Sequence, residues 1–212
     1  MINKEKFICA VIGSQNTGKS TFIKDVINYY QNNGIYESFV TDEIDYRKII
    51  EDKHLSINRN GTLESQRIIF DSLADQVISA IRNPSMKNVI FDRCPLDSLV
   101  YTMYLNDYKK GGVTQKDIDQ MIIEMKRFIR LYDSIIYIPL EHCENVEVID
   151  DKFRDTDLEY RSYVDRLFKK AINTLEDVDR DKIVEIYGSR QQRLEMFYDE
   201  LNYHFVVRTP IL

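Results

Sequence analysis

The sequence predicts an α/β fold in which helices cover both faces of a parallel sheet. Three observations support this prediction. Five short apolar segments are each long enough for one buried strand. Helical patterns lie between them, which is the order expected of βαβ units. Glycine-rich or charged segments follow the apolar ones, at the sheet edge where right-handed crossovers place functional loops.

The five predicted strands are rich in isoleucine, valine and aromatic residues, which favour extended and buried backbone. They cover residues 7–12, 38–41, 88–91, 134–138 and 182–187. Short apolar runs of this kind are typical of a parallel sheet that is buried on both faces.

The predicted helices carry their apolar residues at helical spacing. They lie near 19–33, 43–52, 62–82, 96–108, 115–131, 157–176 and 190–204. Thr62 with Ser65 provides a start signal for the third helix, and Gly111 with Gly112 separates the fourth from the fifth. The whole chain, 1–212, is predicted to form a single domain, with a lid at about 141–170.

The composition excludes several classes of protein. The net charge is −6 and the pI is about 5.2, which argues against a broad basic surface for duplex DNA or anionic membrane. No apolar run is long enough to cross a membrane, and the first residues lack the apolar core of a signal peptide. The three cysteines do not form a C-x-x-C pair, so we expect reduced thiols and a cytoplasmic protein.

Residues 13–20 match the P-loop pattern G-x-x-x-x-G-K-[ST]. Its glycines let successive N–H groups turn inward to phosphate oxygens, and the lysine adds a positive charge at the β- and γ-phosphates. An apolar strand precedes this loop and an amphipathic helix follows it, as a true P-loop requires. The residues predicted to hold ATP here are Gly13, Ser14, Gln15, Asn16, Thr17, Gly18, Lys19, Ser20 and Thr21.

A second motif is Asp92-Arg93, which ends the apolar strand 88–91. An acid in this position suits a Mg²⁺ site, which Ser20 would complete with its hydroxyl group. Arg93 can grip a phosphate or a reacting oxygen with two parallel hydrogen bonds. The alternative is a strand-end acid that caps the next helix.

A third motif, Asp42-Glu43, follows the second strand, and Arg47 comes shortly after it. A carboxylate here would take the proton of an acceptor hydroxyl, or orient that hydroxyl. Glu43 is favoured over Asp42 as the base, and Asp42 and Arg47 are then expected to bind substrate. The alternative is an acidic helix N-terminus.

The predicted lid contains Arg154 and Arg161, which are seven residues apart and share a face if the helix extends back as far as Arg154. Such arginines stabilise the negative charge of a phosphoryl group in transfer and exclude water. Both are predicted to be catalytic, together with Lys19, Asp92 and Arg93. The alternative is a solvated helix face.

Two further sets of residues complete the predicted site. Gly188 and Arg193 follow the last strand and are expected to contact the adenine base, with a plain strand–helix turn as the alternative. Gln66, Arg67 and Tyr101 are expected to bind the acceptor, since an amide can read a nucleobase edge and a tyrosine can stack on it. Ordinary core packing is the alternative for these three.

The order of these motifs resembles P-loop kinases of nucleosides and nucleoside monophosphates. The strings 91–97 and 153–161 are particularly similar to the small AAA-type domain family that includes the nicotinamide riboside kinase domain, and the resemblance covers residues 7–204. It implies a P-loop NTPase three-layer sandwich with a five-stranded sheet of order 2-3-1-4-5, Mg²⁺ with ATP as phosphate donor, and a helical lid. Deoxynucleoside and thymidylate kinases look similar in the Asp92-Arg93 element.

The sequence departs from these kinases in two places. Glu43 and Arg47 are one residue further apart than in the expected Glu-x-x-Arg, which puts the assignment of the base in doubt. The chain also has no clear signature of a thymidylate kinase lid, so the acceptor stays open.

The leading prediction is therefore an ATP-dependent phosphotransferase acting on a nucleoside, a nucleoside monophosphate or a related nucleotide. One alternative is a kinase of a hydroxymethylated base in DNA, against which the acidic pI weighs. Another is a P-loop ATPase or regulatory switch. A regulatory GTPase would need an Asn-Lys-x-Asp motif, which the sequence lacks. A homodimer is left open.

Overall fold

The computed structural model describes residues 6–33, 39–41, 46–85, 88–143, 148, 153–175 and 180–207. Five parallel strands form one sheet in the order β2-β3-β1-β4-β5, which confirms the predicted fold class. The strands are β1 (Ile8–Ile12), β2 (Phe39–Val40), β3 (Asn88–Asp92), β4 (Ser134–Tyr137) and β5 (Ile183–Glu185).

Seven α-helices occur within the described ranges. They are α1 (Lys19–Asn33), α2 (Tyr46–Asp52), α3 (Leu63–Arg82), α4 (Pro95–Asp107), α5 (Gln115–Phe128), α6 (Leu158–Asn173) and α7 (Arg190–Val207). Short 3₁₀ turns lie at Asn58–Asn60, Ile129–Leu131, Leu140–His142 and Arg180–Lys182. Each helix that the sequence predicted is present, and most bounds differ by no more than three residues.

The central strand β1 separates two apolar cores. Because side chains alternate across a strand, Ile8, Ala10 and Ile12 face the core formed with α3, α4, α5 and α6. Phe7, Cys9 and Val11 face the opposite core, which α1 and α7 cover. These two layers of helices and the sheet between them form the three-layer sandwich. The apolar run of β1 therefore has no polar face.

The strand register brings three chain segments to one edge of the sheet. Val11 of β1 is paired with Asp92 of β3, and Ile12 is paired with Tyr137 of β4. The residues that follow these strands, 13–20, 93–94 and 138–143, therefore leave the sheet side by side. This edge is the location of the candidate site.

Hydrogen bonds of side chains fix the starts of the helices next to this edge. The hydroxyl of Thr62 accepts from the N–H of Ser65, and the hydroxyl of Ser65 accepts from the N–H of Thr62. At the start of α4, Asp97 accepts from the N–H of Cys94 at 3.1 Å. These caps hold the first turns of α3 and α4 beside the strand ends.

Some predictions stay untested. The single domain at 1–212 with its lid at about 141–170 is one of them; α6 overlaps that range and extends past its end. Asp42 and Glu43 lie outside the described residues, as does the side chain of Arg47.

All three cysteines are buried and free of disulfides. Across the parts of the chain that the structure describes, no helix combines the length and hydrophobicity that a membrane span requires.

Candidate active site

The loop 13–20 turns sharply between β1 and α1. Gly13, Asn16 and Gly18 have φ angles of 139°, 55° and 85°, a region that favours glycine and tolerates asparagine. A Cβ atom on Gly13 would lie 2.5 Å from the carbonyl oxygen of Ile138. The loop therefore packs against the end of β4 so closely that only glycine fits there.

Lys19 bends back over the loop that precedes it. Its ammonium donates to the carbonyl of Gly13 at 3.0 Å and to that of Ser14 at 2.6 Å. The side chain is buried, with 7% of the residue exposed. Burial, together with the nearby positive charge of Arg93, lowers the pKa of Lys19 to about 8. A bound phosphate would supply the negative charge that favours the protonated ammonium.

Two buried arginines hold the loop from behind. Arg161 of α6 donates to the carbonyls of Gln15 at 3.0 Å and Asn16 at 3.1 Å. Arg193 of α7 donates to the carbonyl of Thr17 at 2.9 Å. These contacts tie three successive carbonyls to protein cations and leave the N–H groups of the loop to an anion.

Both guanidinium groups bind backbone carbonyls, and Arg193 also donates to the carbonyl of Gly188 at 3.0 Å. The contacts predicted from the sequence, of Arg161 with the transferred phosphoryl group and of Arg193 with adenine, stay predictions. The thiol of Cys143, 3.4 Å from the carbonyl of Thr17, completes this layer.

Ser20 and Asp92 lie together at the mouth of the loop. The hydroxyl of Ser20 donates to a carboxylate oxygen of Asp92 at 2.9 Å. A hydroxyl oxygen and a carboxylate are the hard ligands that Mg²⁺ takes in proteins, where water and phosphate oxygens complete its coordination. The donor set therefore fits the Mg²⁺ site that the sequence predicted.

Arg93 adopts a strained backbone conformation beside this pair. Its φ of 92° lies in a region that residues with a side chain rarely occupy, at a cost of ~1–3 kcal/mol. The guanidinium donates to Asp97 at 3.0 Å, and it lies 6.0 Å from the ring centroid of Tyr101. Strain that the surrounding contacts maintain is typical of a functional position.

A cavity opens next to Arg93, between α3, α4 and the 3₁₀ turn at Asn58–Asn60. Its empty volume is about 400 Å³, open solvent included. It is lined by Ile50, Ile57, Asn58, Gln66, Ile69, Arg93, Asp97, Ser98, Tyr101 and Phe153. Within the described residues, the buried hydroxyl of Ser98 has no hydrogen-bond partner, which suits a polar ligand.

The predicted acceptor residues divide into two groups. Gln66 and Tyr101 line this cavity, which we name the acceptor pocket. Arg67 does not line it and forms an ion pair with Glu124 at 2.5 Å. Arg154 lies in a separate groove beside residues 56–60 and is half-buried.

A family profile described as an AAA domain matches residues 8–193, which include the loop, both arginines behind it and the acceptor pocket. The chain belongs to this AAA domain family. The curated proteins include no significant match to it.

Solved structures show which proteins share the fold of this AAA domain. A NadR protein in complex with NR superposes with a TM-score of 0.63 at 18% identity, over 98% of this chain and 53% of that one. A deoxyadenosine kinase from M. mycoides, solved with the products dCMP and dCDP, gives 0.58 at 16% identity, with 92% and 99% coverage. A thymidylate kinase from Candida albicans gives 0.62 at 14% identity, with 94% and 92% coverage.

The AAA domain spans about half the length of the NadR chain and nearly all of the deoxyadenosine kinase. At these identities, the likeness concerns the fold. It confirms the predicted resemblance to P-loop kinases of nucleosides and nucleotides.

Sequence reasoning missed Asp97 and Cys143 as residues of the site. Asp97 follows Arg93 by four residues, a spacing that allows an ion pair once the intervening turn is helical. That signal was present in the sequence. Cys143 carried no such signal, because its contact with the loop depends on how the chain turns after β4.

Asp97 provides a test of the pocket's electrostatics. Burial raises the pKa of Asp97 from its ordinary value of 3.8 to about 6, although Arg93 and Lys19 oppose the rise. The folded protein therefore binds this proton more tightly than the unfolded chain does. The resulting stabilisation is complete at pH values below 3.8, the pKa of Asp97 in the unfolded chain, and is lost as the pH rises through about 6, its pKa in the folded protein.

We therefore expect Asp97→Asn to stabilise the protein relative to wild type as the pH rises, by about 2–3 kcal/mol near pH 7. The difference should shrink to about 1 kcal/mol at about pH 4.5 and vanish only below the unfolded pKa of 3.8, where Asp97 is protonated in both states. Urea unfolding without nucleotide or Mg²⁺, from about pH 4.5 to about pH 7.5, measures it. A difference that is constant over this range would show that the carboxyl does not titrate as inferred.

Proposed function

We propose that this AAA domain is an ATP-dependent phosphotransferase. It would move the γ-phosphoryl group of ATP to a hydroxyl of a nucleoside or a nucleoside monophosphate. The observation that carries the proposal is the position of Arg93. This strained arginine lies between the Ser20–Asp92 pair and a walled pocket, so a donor phosphate and an acceptor meet at one side chain.

The donor end consists of the loop 13–20 and its supports. The N–H groups of the loop would bind the β- and γ-phosphates, and Lys19 would add its charge there. Ser20 and Asp92 would hold Mg²⁺, which neutralises charge on the phosphates when bound. Arg161 and Arg193 would keep the loop carbonyls turned away from the anion.

In the reaction, the oxygen of the acceptor hydroxyl forms a bond to the γ-phosphorus. The bond from that phosphorus to the bridging oxygen of ADP breaks, and ADP leaves with its electron pair. Arg93 is placed to stabilise the equatorial oxygens of the moving group. Glu43, or Asp42 beside it, stays the predicted base that takes the hydroxyl proton.

Among the described residues, which do not include the side chain of Arg47, charge in the acceptor pocket favours a nucleoside over a monophosphate. A monophosphate brings about two negative charges, which need unpaired cations. Arg93 pairs with Asp97 and is already assigned to the transferred phosphoryl group, and Arg67 nearby pairs with Glu124. The pocket instead offers Gln66, the hydroxyl of Ser98 and apolar walls, which suit an uncharged base and sugar.

The shared fold supports the proposal, because two of the similar structures are a deoxyadenosine kinase and a thymidylate kinase. The test is product analysis with Mg²⁺-ATP and a panel of nucleosides and their 5′-monophosphates. We expect ADP release that depends on the acceptor, and a phosphorylated product identified by mass spectrometry. ATP hydrolysis at a rate that no acceptor changes would contradict phosphotransfer and favour a P-loop ATPase.

The position of Arg161 leads to a further prediction. Arg161→Ala should raise the KM for ATP by ~10-fold and change kcat less, because the arginine supports the loop and does not touch the reacting group. Initial rates over a range of ATP concentrations measure both constants. Arg166→Ala is the matched control, since Arg166 lies exposed on the same helix, 5.1 Å from the Tyr163 ring centroid. A fall in kcat alone would restore the catalytic role predicted from the sequence.

A further inference from the structure

The side chain of Gln15 connects the phosphate loop to three other parts of the protein. Its Nε2 donates to Oδ1 of Asn58 at 2.7 Å and to the hydroxyl of Tyr101 at 3.4 Å. Its Oε1 accepts from the N–H of Asp155. Gln15 is buried, with 3% of the residue exposed, so both ends of the amide bind protein groups in a dry setting.

The backbone of the same residue is connected to α6. The carbonyl of Gln15 accepts from Nε of Arg161 at 3.0 Å. Residues 153–161 are therefore attached to one P-loop residue by its side chain and by its main chain. A shift of Gln15 must move this segment with it or break these two hydrogen bonds, of which the one from Arg161 is buried.

Two partners of Gln15, Asn58 and Tyr101, also line the acceptor pocket. Asn58, Tyr101 and Phe153 all line the pocket, and the amide of Asn58 donates to the carbonyl of Phe153 at 3.2 Å. Arg59 adds an ion pair with Asp155 at 2.5 Å. The turn at Asn58–Asn60 and the segment 153–157 are therefore bound to each other as well as to Gln15.

We propose that the Gln15 side chain is a positioning residue that couples nucleotide binding to the shape of the acceptor pocket. Phosphate fixes the N–H groups of the loop and with them the place of Gln15. Gln15 in turn fixes Asn58 and the backbone at Asp155. Because such coupling is reciprocal, an occupied acceptor pocket raises the affinity for nucleotide by the same factor. The proposal goes beyond phosphotransfer and requires only that the loop binds nucleotide.

Hydrogen exchange with saturating Mg²⁺ and AMP-PNP tests this coupling. In the wild type, nucleotide should slow exchange in peptides covering 13–20, 56–60 and 153–157, in the last two by ~5-fold or more. Gln15→Ala should keep the slowing in 13–20 and lose it in the other two. Gln120→Ala, on the exposed face of α5, is the matched control and should behave as the wild type.

The variant Gln15→Glu tests the oxygen and the nitrogen of the amide separately, because it keeps the acceptor and removes the donor. The glutamate can still accept from the N–H of Asp155 but has no N–H for Asn58. In this variant, nucleotide should still slow exchange in 153–157 but no longer in 56–60. A general loss of stability does not produce this pattern. Two outcomes would overturn the coupling. In the first, nucleotide slows exchange in all three segments of Gln15→Ala as it does in the wild type. In the second, nucleotide does not slow exchange in 56–60 and 153–157 of the wild type. If nucleotide does not slow exchange in 13–20 of the wild type either, the proposed function is contradicted as well.

Discussion

Replacing Lys19 by alanine is expected to lower turnover of ATP by ~10²–10³-fold. The ammonium is buried against the carbonyls of Gly13 and Ser14, and the alanine side chain places no charge there. Its removal takes the positive charge away from the place where negative charge develops on the γ-phosphate. ADP release at saturating Mg²⁺-ATP measures the loss.

The control for this variant is Lys24→Ala. Lys24 lies on the same helix but is exposed, and its loss should leave turnover within about twofold. Similar circular dichroism spectra of Lys19→Ala and Lys24→Ala would show that both variants are folded. Full turnover in Lys19→Ala would contradict the assignment of residues 13–20 as the phosphate site.

Replacing Gly13 by alanine is expected to destabilise the protein by ~3 kcal/mol or more and to abolish nucleotide binding. Two effects add. The φ of 139° is unfavourable for any residue with a Cβ atom, and that atom would lie 2.5 Å from the backbone oxygen of Ile138. The backbone oxygen cannot move without displacing the end of β4. Urea unfolding and isothermal titration with Mg²⁺-ATP measure the two losses.

Gly112→Ala isolates the conformational part of this effect. Gly112 has a φ of 70°, but a Cβ atom there would meet nothing within 4 Å. It should therefore cost only ~1–2 kcal/mol and leave nucleotide binding intact. Equal losses in the two variants would show that the close approach to Ile138 is not what requires glycine at position 13.

The strands and helices could be predicted because each has a local cause. The uninterrupted apolar run of β1 requires burial on both faces, and the two cores on either side of it supply that burial. The turn of residues 13–20 could be predicted for a similar reason, since its glycines allow the positive φ angles that the turn needs. Arg93 followed from its place after a strand end.

The carbonyl contacts of Arg161 and Arg193 could not be predicted in this way. Their sequence positions placed them near the site, but a guanidinium binds a carbonyl as readily as a phosphate oxygen. Which of these it meets depends on the packing of α6 and α7 against the back of the loop. The contacts of Gln15 are equally non-local, because Asn58 and Asp155 come from distant segments.

The sheet order has a consequence for how readily this protein can acquire a new preference for its acceptor. The phosphate loop follows β1 and Asp92 ends β3, which are two of the three strands with neighbours on both sides, whereas β2, with two residues, forms an edge. Local opening costs least at such an edge and most at the centre. Ile50 and Ile57 line the pocket and lie outside β1 and β3, so they can be varied in a library while those central strands stay folded. Selection for a different acceptor has its widest freedom there.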